Sequence, residues 1–279
     1  LMNEHLFTPD RSRTVQMEIT PESAGWTYLS FAIVGLKPGE RHDHLLADQE
    51  TAVVPISGSA TVKVGGIETT LSRTSVFEEM PRIAYAPPGV AIEIVAIDEA
   101  FEFAIGSAPA EGRYPARIIE PADMSSELRG GGAAYRQVNH VLAPPIDAER
   151  LILYEVYVPR GSWSGWPPHC HDGFNGSPYL EETYYFRLDP SDGFCMHRNW
   201  RTDEDFDEVL TAGDGDCAIV TKGFHSTAAA PGSHMFFLNY LAGELVDGER
   251  VTPPCFHEAY TWIEEDWDKF GWELPKVRP

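Results

Sequence analysis

The sequence is poor in cysteine and in basic residues, and it contains no long apolar run. Its 279 residues include 4 cysteines without a C-x-x-C pair, so neither a zinc ribbon nor a disulfide framework is indicated. Lys and Arg total 21 against 43 Asp and Glu, a net charge of -22, which argues against a nucleic-acid or anionic-membrane surface. No stretch approaches the roughly 18 to 20 apolar residues that span a bilayer, and the N-terminus lacks a signal-peptide pattern. These absences predict a cytoplasmic protein with reduced thiols.

The chain has little helical periodicity, and strand-like segments make up most of it. Residues 15–35, 51–64 and 83–105 alternate or run apolar between Gly and Pro turns, and a second series follows over residues 135–242. Short strands at intervals of roughly 8 to 12 residues are typical of β-sandwiches and β-barrels. Residues 109–132 have the Pro, Gly, Ser and charge content of a connection. The sequence therefore predicts an all-β fold in two halves.

Two histidines and a carboxylate in the second series have the spacing of metal ligands. His169 and His171 are two residues apart in a predicted strand, so their side chains share one face. Glu182 follows in the next strand on what we take to be its inward face, and Glu181 is the fallback carboxylate. His225 comes after an apolar run and a Gly-containing turn, where a returning strand begins. Three or four N and O ligands that converge in this way predict a divalent metal site.

The first series repeats part of this pattern. His42 and His44 are also two residues apart, and Glu50 precedes the apolar run T-A-V-V-P-I-S-G-S-A-T-V-K-V. Internal self-similarity of this kind is the signature of a duplicated unit. In the parallel that we draw, Glu50 matches the glutamate of the second series, and Ala91 stands where the second series has His225. We expect a structural or interface role for the first half, and a second, weaker metal site at His42, His44 and Glu50 stays open.

Four segments of the second series resemble the 5-deoxy-glucuronate isomerase family of inositol catabolism, which is related to the uronate ketol-isomerases of pectin breakdown. They are G-S-W-S-G-W-P-P-H-C-H-D (161–172), Y-L-E-E-T-Y-Y-F-R-L (179–188), G-F-C-M-H-R (193–198) and A-A-P-G-S-H-M-F-F-L-N-Y-L-A-G (229–243). The histidine and glutamate motifs also resemble those of cupins, and two copies in tandem resemble a bicupin. The likeness implies two tandem jelly-roll β-barrels with little helix. The N-terminal barrel, with a degenerate metal site, would occupy residues 1–125, and the C-terminal barrel residues 126–279.

The resemblance also implies an activity. It implies a divalent metal, zinc first and manganese or iron as alternatives, held by His169, His171, Glu182 and His225. It implies the isomerisation of an aldehyde sugar acid to a keto sugar acid, in this family 5-deoxy-D-glucuronate to 5-dehydro-2-deoxy-D-gluconate. The expected partner is thus a small sugar acid. A homo-oligomer is also expected, because the open edges of such sheets often pair.

Aldose–ketose isomerisation needs a general base, for which three residues are candidates. The reaction moves a hydrogen between adjacent carbons through an enediol, so the site must remove a proton from a carbon next to a carbonyl. Tyr184 lies two positions after Glu182 and so on the same face, whereas Glu181 and Lys222 are close in sequence to predicted ligands. A metal-bound water is a fourth candidate.

A sugar acid also needs a partner for its carboxylate, and a guanidinium fork matches that geometry. Arg198 in C-M-H-R-N-W is the first choice. Arg187 in Y-Y-F-R-L lies on the face opposite Glu182 by strand parity, and Arg136 precedes the second strand series. These three arginines are the predicted substrate-binding residues.

Two other functions stay open from the sequence alone. A set of two or three histidines and a glutamate also serves iron and oxygen chemistry, which would make the protein a metal-dependent dioxygenase. The other alternative is a non-catalytic cupin that binds sugar acids. A pure binding module, however, has no need of a complete ligand set.

Overall fold

The computed structural model describes residues 4–271, 274 and 276, and most of these residues lie in β-strands. The strands are β1 (Leu6–Phe7), β2 (Val15–Ile19), β3 (Ser30–Leu36), β4 (Arg41–His44), β5 (Gln49–Val64), β6 (Ile67–Arg73), β7 (Ile83–Ala86), β8 (Ile92–Ala96), β9 (Phe101–Pro109), β10 (Arg117–Ile119), β11 (Ser125–Arg129), β12 (Arg136–Leu142), β13 (Ile152–Val158), β14 (Trp163–Cys170), β15 (Leu180–Asp189), β16 (Cys195–Trp200), β17 (Asp207–Ala212), β18 (Cys217–Val220), β19 (Phe224–Ala229), β20 (His234–Gly243) and β21 (Cys255–Phe256). The helical segments are one α-helical turn, α1 (Pro21–Ala24), and 3-10 turns at Pro121–Asp123, Gly132–Ala134, Phe174–Gly176, Asp247–Glu249 and Glu258–Glu264. The predicted all-β class with little helix is confirmed. Within the described residues, no helix has the length and apolar character needed to cross a membrane.

Strands β2 to β10 pair into one nine-stranded sheet of the described chain, which forms the first barrel. The 16-residue strand β5 pairs with β7 and β9 before Gly58 and with β6 and β8 from Gly58 onward. Gly58 has a φ of +87°, and a Cβ there would lie 1.9 Å from the carbonyl oxygen of Ala100. Only glycine therefore permits the bend. Through this bend one continuous strand serves two walls of the barrel.

The second barrel consists of two sheets that face each other. In the described residues, seven strands pair in the order β1-β18-β15-β20-β13-β12-β11 and five in the order β17-β16-β19-β14-β21. Their inner faces bury one apolar cluster, to which the first sheet contributes Tyr184, Phe186 and Phe237 and the second Leu210 and Ala229. Two antiparallel sheets packed in this way are the architecture of a jelly roll.

The two halves of the chain are not divided cleanly along the sequence. Strand β10 ends the first barrel at Ile119, and β11 begins the second at Ser125. Strand β1, from the N-terminal end, pairs with β18 of the second barrel. A boundary between residues 125 and 126 would cut β11, and this division of the chain stays a prediction.

A shared apolar core joins the two barrels. Phe31 and Tyr85 of the first barrel lie in one buried cluster with Tyr185, Phe236 and Tyr240 of the second. The rings of Phe31 and Tyr240 meet edge to face, with their centroids 5.3 Å apart. Because side chains alternate along β15, Tyr185 points into this interface while the residues on either side of it point into the second barrel. The face predicted to be inward on β15 is thus the inward one.

Candidate metal centre

Three histidines from two paired segments meet inside the second barrel. His169 on β14 lies directly opposite His225 on β19, and His171 follows the last residue of β14. One ring nitrogen from each of the three lies within 4.8 Å of the others. The register of β14 shifts between Ser164 and His169, where Gly165 adopts a φ of +70°. A bulge of this kind re-aims the side chains that follow it, here towards His225.

Glu182 on β15 completes the group from the facing sheet. Its Oε2 lies 2.9 Å from Nε2 of His171 and 3.2 Å from Nε2 of His225. Burial alone would raise the pKa of Glu182, but the two imidazoles hold it well below its usual value. Burial and the neighbouring histidines lower the pKa of His169. Glu182 is therefore ionised and His169 neutral, which are the forms that bind divalent metals.

The nitrogen of His225 gives a direct test of whether these residues fit a metal. Its Nε2 is buried and has no hydrogen-bond partner among the described residues, although an oxygen of Glu182 lies 3.2 Å away. A buried polar atom left in this state costs free energy unless another group coordinates it. Three imidazoles and one carboxylate are a donor set that suits zinc, manganese or iron. The structure brings all four predicted ligands together, and metal ligation by them stays a proposal.

Asp172 ties together the two segments that carry the histidines. It follows His171, and its Oδ2 accepts a 2.8 Å hydrogen bond from the backbone N–H of Gly223, two residues before His225. The same oxygen accepts a 2.6 Å hydrogen bond from Arg201. Hydrogen bonds of this kind, one step beyond the ligands, fix the direction in which ligands point. Sequence reasoning did not assign a role to Asp172.

Of the three candidate bases, Tyr184 lines the cavity beside the histidines. Its side chain is buried, and burial together with the carboxylate of Glu182 raises its pKa well above the usual value. Tyr184 is therefore a protonated phenol. Lys222 lies outside the cavity on the surface, where its Nζ is 3.0 Å from the carboxylate of Glu204.

Glu181 and Glu50 hold the two barrels together. Glu181 is buried, and its carboxylate accepts hydrogen bonds of 2.5, 2.8 and 2.7 Å from the backbone N–H groups of residues 27–29. Glu50 is also buried and accepts hydrogen bonds of 2.9, 2.6 and 2.7 Å from the backbone N–H groups of residues 149–151. The phenol of Tyr85 donates a further bond of 2.5 Å to Glu50. Each barrel thus inserts one carboxylate into a turn of the other, and neither carboxylate faces a histidine cluster.

The predicted alignment of the two series, which matched Glu50 with Glu182, is wrong by one residue. Glu50 is the structural equivalent of Glu181, and Thr51 occupies the place of Glu182. Accordingly, it is the hydroxyl of Thr51 that lies near His44, 3.3 Å from its Nε2. Ser107 lies 3.4 Å from the same nitrogen, and burial lowers the pKa of His44 to about 4. Alternation alone could not fix the register of two strands relative to each other, because a one-residue slip exchanges their faces.

The second misaligned position is the counterpart of His225. In the first barrel the register sets Ile94 opposite His42, just as the second barrel sets His225 opposite His169. Ile94, and not Ala91, therefore stands in the place of the third imidazole. In the part of the chain that the structure describes, a group of three side chains able to hold a metal occurs in the second barrel alone.

The centre opens onto a cavity of about 580 Å³, within the range of roughly 300 to 1,000 Å³ that is typical of small-molecule sites. Its apolar walls include Val138, Trp166, Leu180, Phe237, Leu241 and Phe256. Polar side chains at the walls, besides the candidate ligands and Tyr184, include Arg129, Arg136, Ser164, Asn239 and Glu264. A mostly apolar cavity with a few converging polar groups is the usual form of a site for a small polar molecule.

Arg136 is the predicted arginine that reaches this cavity. Its Nη1 donates a 3.1 Å hydrogen bond to the carbonyl oxygen of Ala134, while its Nε is buried without a partner in the described chain. Burial lowers the pKa of Arg136 to about 10, which still leaves it cationic at neutral pH. A partly buried cation with an unused N–H group at a cavity wall is suited to an anionic ligand.

The other two arginines lie outside the cavity. Arg198, the first choice from the sequence, donates hydrogen bonds of 2.8 and 2.7 Å to Asp207 at the surface. The guanidinium of Arg187 donates a 2.9 Å hydrogen bond to Glu102 of the first barrel and another of 2.9 Å to Asp214. Carboxylates of this chain already occupy both guanidinium groups. Of the three predicted arginines, Arg136 is the one that lines the cavity.

His197 lies beside the centre and was not predicted. Its ring centroid is 4.6 Å from that of Tyr184 and 6.1 Å from that of His225. Its Nε2 lies 3.0 Å from Oδ1 of Asn199, and burial lowers its pKa to about 4, so this imidazole is neutral. Alternation along the C-M-H-R segment, with Cys195 inward, is the signal that would have placed His197 on the inner face.

Comparison with known proteins agrees with the sequence resemblance. A model of the KduI/IolB family matches residues 1–263. The 5-deoxy-glucuronate isomerase of Geobacillus thermodenitrificans is 37% identical over 232 residues, which are 81% of this chain and 84% of that protein. The protein of the same name from Bacillus subtilis is 34% identical over 255 residues, or 89% of this chain and 92% of that protein. The predicted isomerase class is thereby confirmed.

Solved structures agree on the fold. The crystal structure of an iolb-like protein from Salmonella typhimurium is 33% identical, covers 93% of this chain and 98% of that chain, and has a TM-score of 0.87. The oxalate decarboxylase of Lactobacillus farciminis has a TM-score of 0.60 at 13% identity, with 88% of each chain covered, and shows the shared bicupin fold alone. The chain is therefore a bicupin that belongs to the KduI/IolB family.

Proposed function

We propose that this protein is a metal-dependent aldose–ketose isomerase of inositol catabolism, which converts 5-deoxy-D-glucuronate to 5-dehydro-2-deoxy-D-gluconate. The observation that carries the proposal is one cavity whose walls include three of the four N and O donors, His169, His171 and Glu182, together with the partly buried cation of Arg136. A substrate with a carboxylate at one end and an aldehyde with a neighbouring hydroxyl at the other matches both features. The names of the compared relatives support the same substrate.

We propose His169, His171, Glu182 and His225 as the residues that hold the metal, with zinc first and manganese or iron as alternatives. A bound divalent metal supplies Lewis-acid polarisation of the substrate carbonyl, a contribution of several kcal/mol in such sites. The side chains around it keep the donors in place. Asp172 fixes the relative positions of the two histidine-bearing segments.

Tyr184 and Arg136 then act on the substrate itself. Arg136 binds the carboxylate and so orients the sugar acid along the cavity. Tyr184 remains protonated because of its burial, so its phenol donates a hydrogen bond to the oxygen on which negative charge develops during enediol formation. The apolar walls exclude water, which strengthens both interactions.

Metal content and turnover together test the proposal. Elemental analysis of the purified protein should find about one zinc or manganese per chain, and His169→Ala and His225→Ala should each lose it. With 5-deoxy-glucuronate the metal-loaded protein should form the keto acid without consuming oxygen. Stoichiometric iron with oxygen uptake would favour a dioxygenase instead, and binding without turnover would favour a sugar-acid-binding cupin. Metal retained in both variants would contradict the proposed ligand set.

The assembly and location of the protein stay predictions from the sequence. A homo-oligomer is proposed because edge strands such as β11 and β17 offer unpaired backbone groups. The cytoplasmic location is proposed because the sequence has no signal-peptide pattern and no apolar run long enough to span a bilayer.

A further inference from the structure

The strand that carries the histidine pair also carries half of a cysteine pair. Cys170 on β14 lies directly opposite Cys255 on β21 in antiparallel register, next to the opposed residues His169 and Phe256. Directly opposed residues in such a register have Cα atoms roughly 4.5 to 5.5 Å apart. This separation lies inside the span of roughly 4.4 to 6.8 Å that a disulfide bridges. The backbone therefore presents the two cysteines in a position to bond.

Both thiols lie on the face of the sheet that is turned away from the metal centre. Alternation places the ring of Phe256 beside that of His169, with centroids 6.0 Å apart, and the two cysteines on the reverse face. There they pack with Trp200 in a small apolar cluster. A bond between them would thus leave all four candidate ligands in place.

The structure describes all four cysteines, and they differ in their access to an oxidant. Cys255 is partly exposed, whereas Cys170, Cys195 and Cys217 are buried. Oxidation of thiols follows exposure, so Cys255 is the first to react. Cys195 and Cys217 lie on other strands, with their thiols against backbone carbonyl groups of β17 and β18. Cys170 is the thiol that faces Cys255.

The bond would act on one wall of the cavity. Residues 251–267, here called the C-terminal strap, cross the second barrel beside the histidines. The strap residues at the cavity wall include Val251, Thr252, Pro253, Phe256, Glu264 and Trp267. Strand β21 attaches the strap to β14 through two opposed residue pairs, and segments with so few backbone hydrogen bonds open at low cost in free energy. A covalent bond at Cys255 would fasten this wall to the strand that bears the histidines.

We propose that Cys170 and Cys255 are a reversible redox site that forms a disulfide when the protein meets a hydroperoxide. The sulfur of Cys255 attacks the O–O bond of hydrogen peroxide, becomes a sulfenic acid and releases one water. The sulfur of Cys170 displaces the hydroxyl group from that sulfenic acid, and its proton leaves with the hydroxyl as a second water. Two thiols and one peroxide thus become one disulfide and two waters. A dithiol reductant reverses the change by thiol–disulfide exchange.

Peptide mass spectrometry tests the site directly on protein that has been oxidised in its folded state. After treatment with hydrogen peroxide and blocking of the remaining thiols with N-ethylmaleimide, a non-reducing digest should contain one peptide pair joined through Cys170 and Cys255. Hydrogen exchange of the strap amides should slow several-fold in the oxidised protein, and dithiothreitol should reverse both results. These measurements do not use the isomerase activity, so they remain valid if the proposed substrate is wrong.

Two variants separate this site from general oxidation. Cys195→Ser should still form the joined peptide pair, because Cys195 lies on another strand. Cys255→Ser should form none. Because Cys255 is partly exposed, this variant should fold as the wild type does, and its circular dichroism spectrum checks this. Sulfinic acid at Cys255 with an unmodified Cys170, or strap exchange that is equal in oxidised and reduced protein, would overturn the proposal.

Discussion

Replacing Arg136 with methionine tests whether this guanidinium holds the carboxylate of the substrate. Methionine has a similar length and fits the apolar wall, but it removes every donor. Hydrogen bonds to charged groups contribute about 1.5 to 3 kcal/mol, which corresponds to a change of about 10- to 150-fold in binding. Because carboxylate binding is the same before and during the reaction, the loss should raise KM while kcat falls much less.

The same substitution should not destabilise the protein. Burial lowers the pKa of Arg136 to about 10, so the charged form is less favourable in the folded chain than in the unfolded chain. Methionine removes that cost and fills the same space. The thermal midpoint of Arg136→Met should therefore equal or exceed that of the wild type. A large drop would mean that the guanidinium has a structural role that its single hydrogen bond to Ala134 does not reveal.

Steady-state kinetics and a neutral substrate analogue complete the test. Arg198→Met is the matched control, because Arg198 is paired with Asp207 at the surface and should leave KM unchanged. The wild type should bind the uronamide, which lacks the negative charge, more weakly than the uronate, and Arg136→Met should bind the two about equally. An unchanged KM in Arg136→Met, or a preference for the uronate that persists in this variant, would refute the assignment.

Three further substitutions probe the proton donor, the metal and the barrel contact. Tyr184→Phe should lower kcat by about 10²- to 10⁴-fold at constant metal content. A single-turnover rate close to that of the wild type would remove Tyr184 from the mechanism. Asp172→Asn weakens the bond to Gly223, so competition with a chelator should show metal affinity about 10- to 100-fold lower; equal affinities would contradict its positioning role. Glu181→Gln turns an amide group towards the N–H groups of residues 27–29 and should lower the free energy of unfolding by about 3 kcal/mol. Urea denaturation measures that change, and an unshifted midpoint would show that the carboxylate adds no stability.

The cluster of candidate metal ligands could be predicted because its pattern is local. Two histidines at spacing two must share a face of an extended strand, and Glu182 and Tyr184 follow the same rule on β15. Each inference needs only the geometry of one strand. Single-strand periodicity does not say which strands face each other, so the convergence of these faces was inferred from the donor types, and the family resemblance implied the same four residues.

The three candidate arginines could not be ranked from the sequence, because the fold decides which of them pair with carboxylates of the chain. Arg187 is neutralised by Glu102, 85 residues away, and no local pattern signals that contact. Arg198 has its partner Asp207 on the adjacent strand β17, but the surface position of both follows from the barrel as a whole. Arg136 lies opposite Arg129 of β11 and lines the cavity, a placement that no local pattern signals. Charge and residue type were thus sufficient to name candidates and insufficient to rank them.

The one-residue offset between the halves explains why four N and O donors converge in the second barrel and not in the first. Both long strands, β5 and β15, begin with a buried glutamate that binds backbone N–H groups of the opposite barrel, so the repeat conserves the contact between barrels. The next residue points inward in each case, and it is Thr51 in the first barrel and Glu182 in the second. Ile94 and His225 differ in the same way. The two barrels share the histidine pair, and two inward positions decide which of them can complete a ligand set.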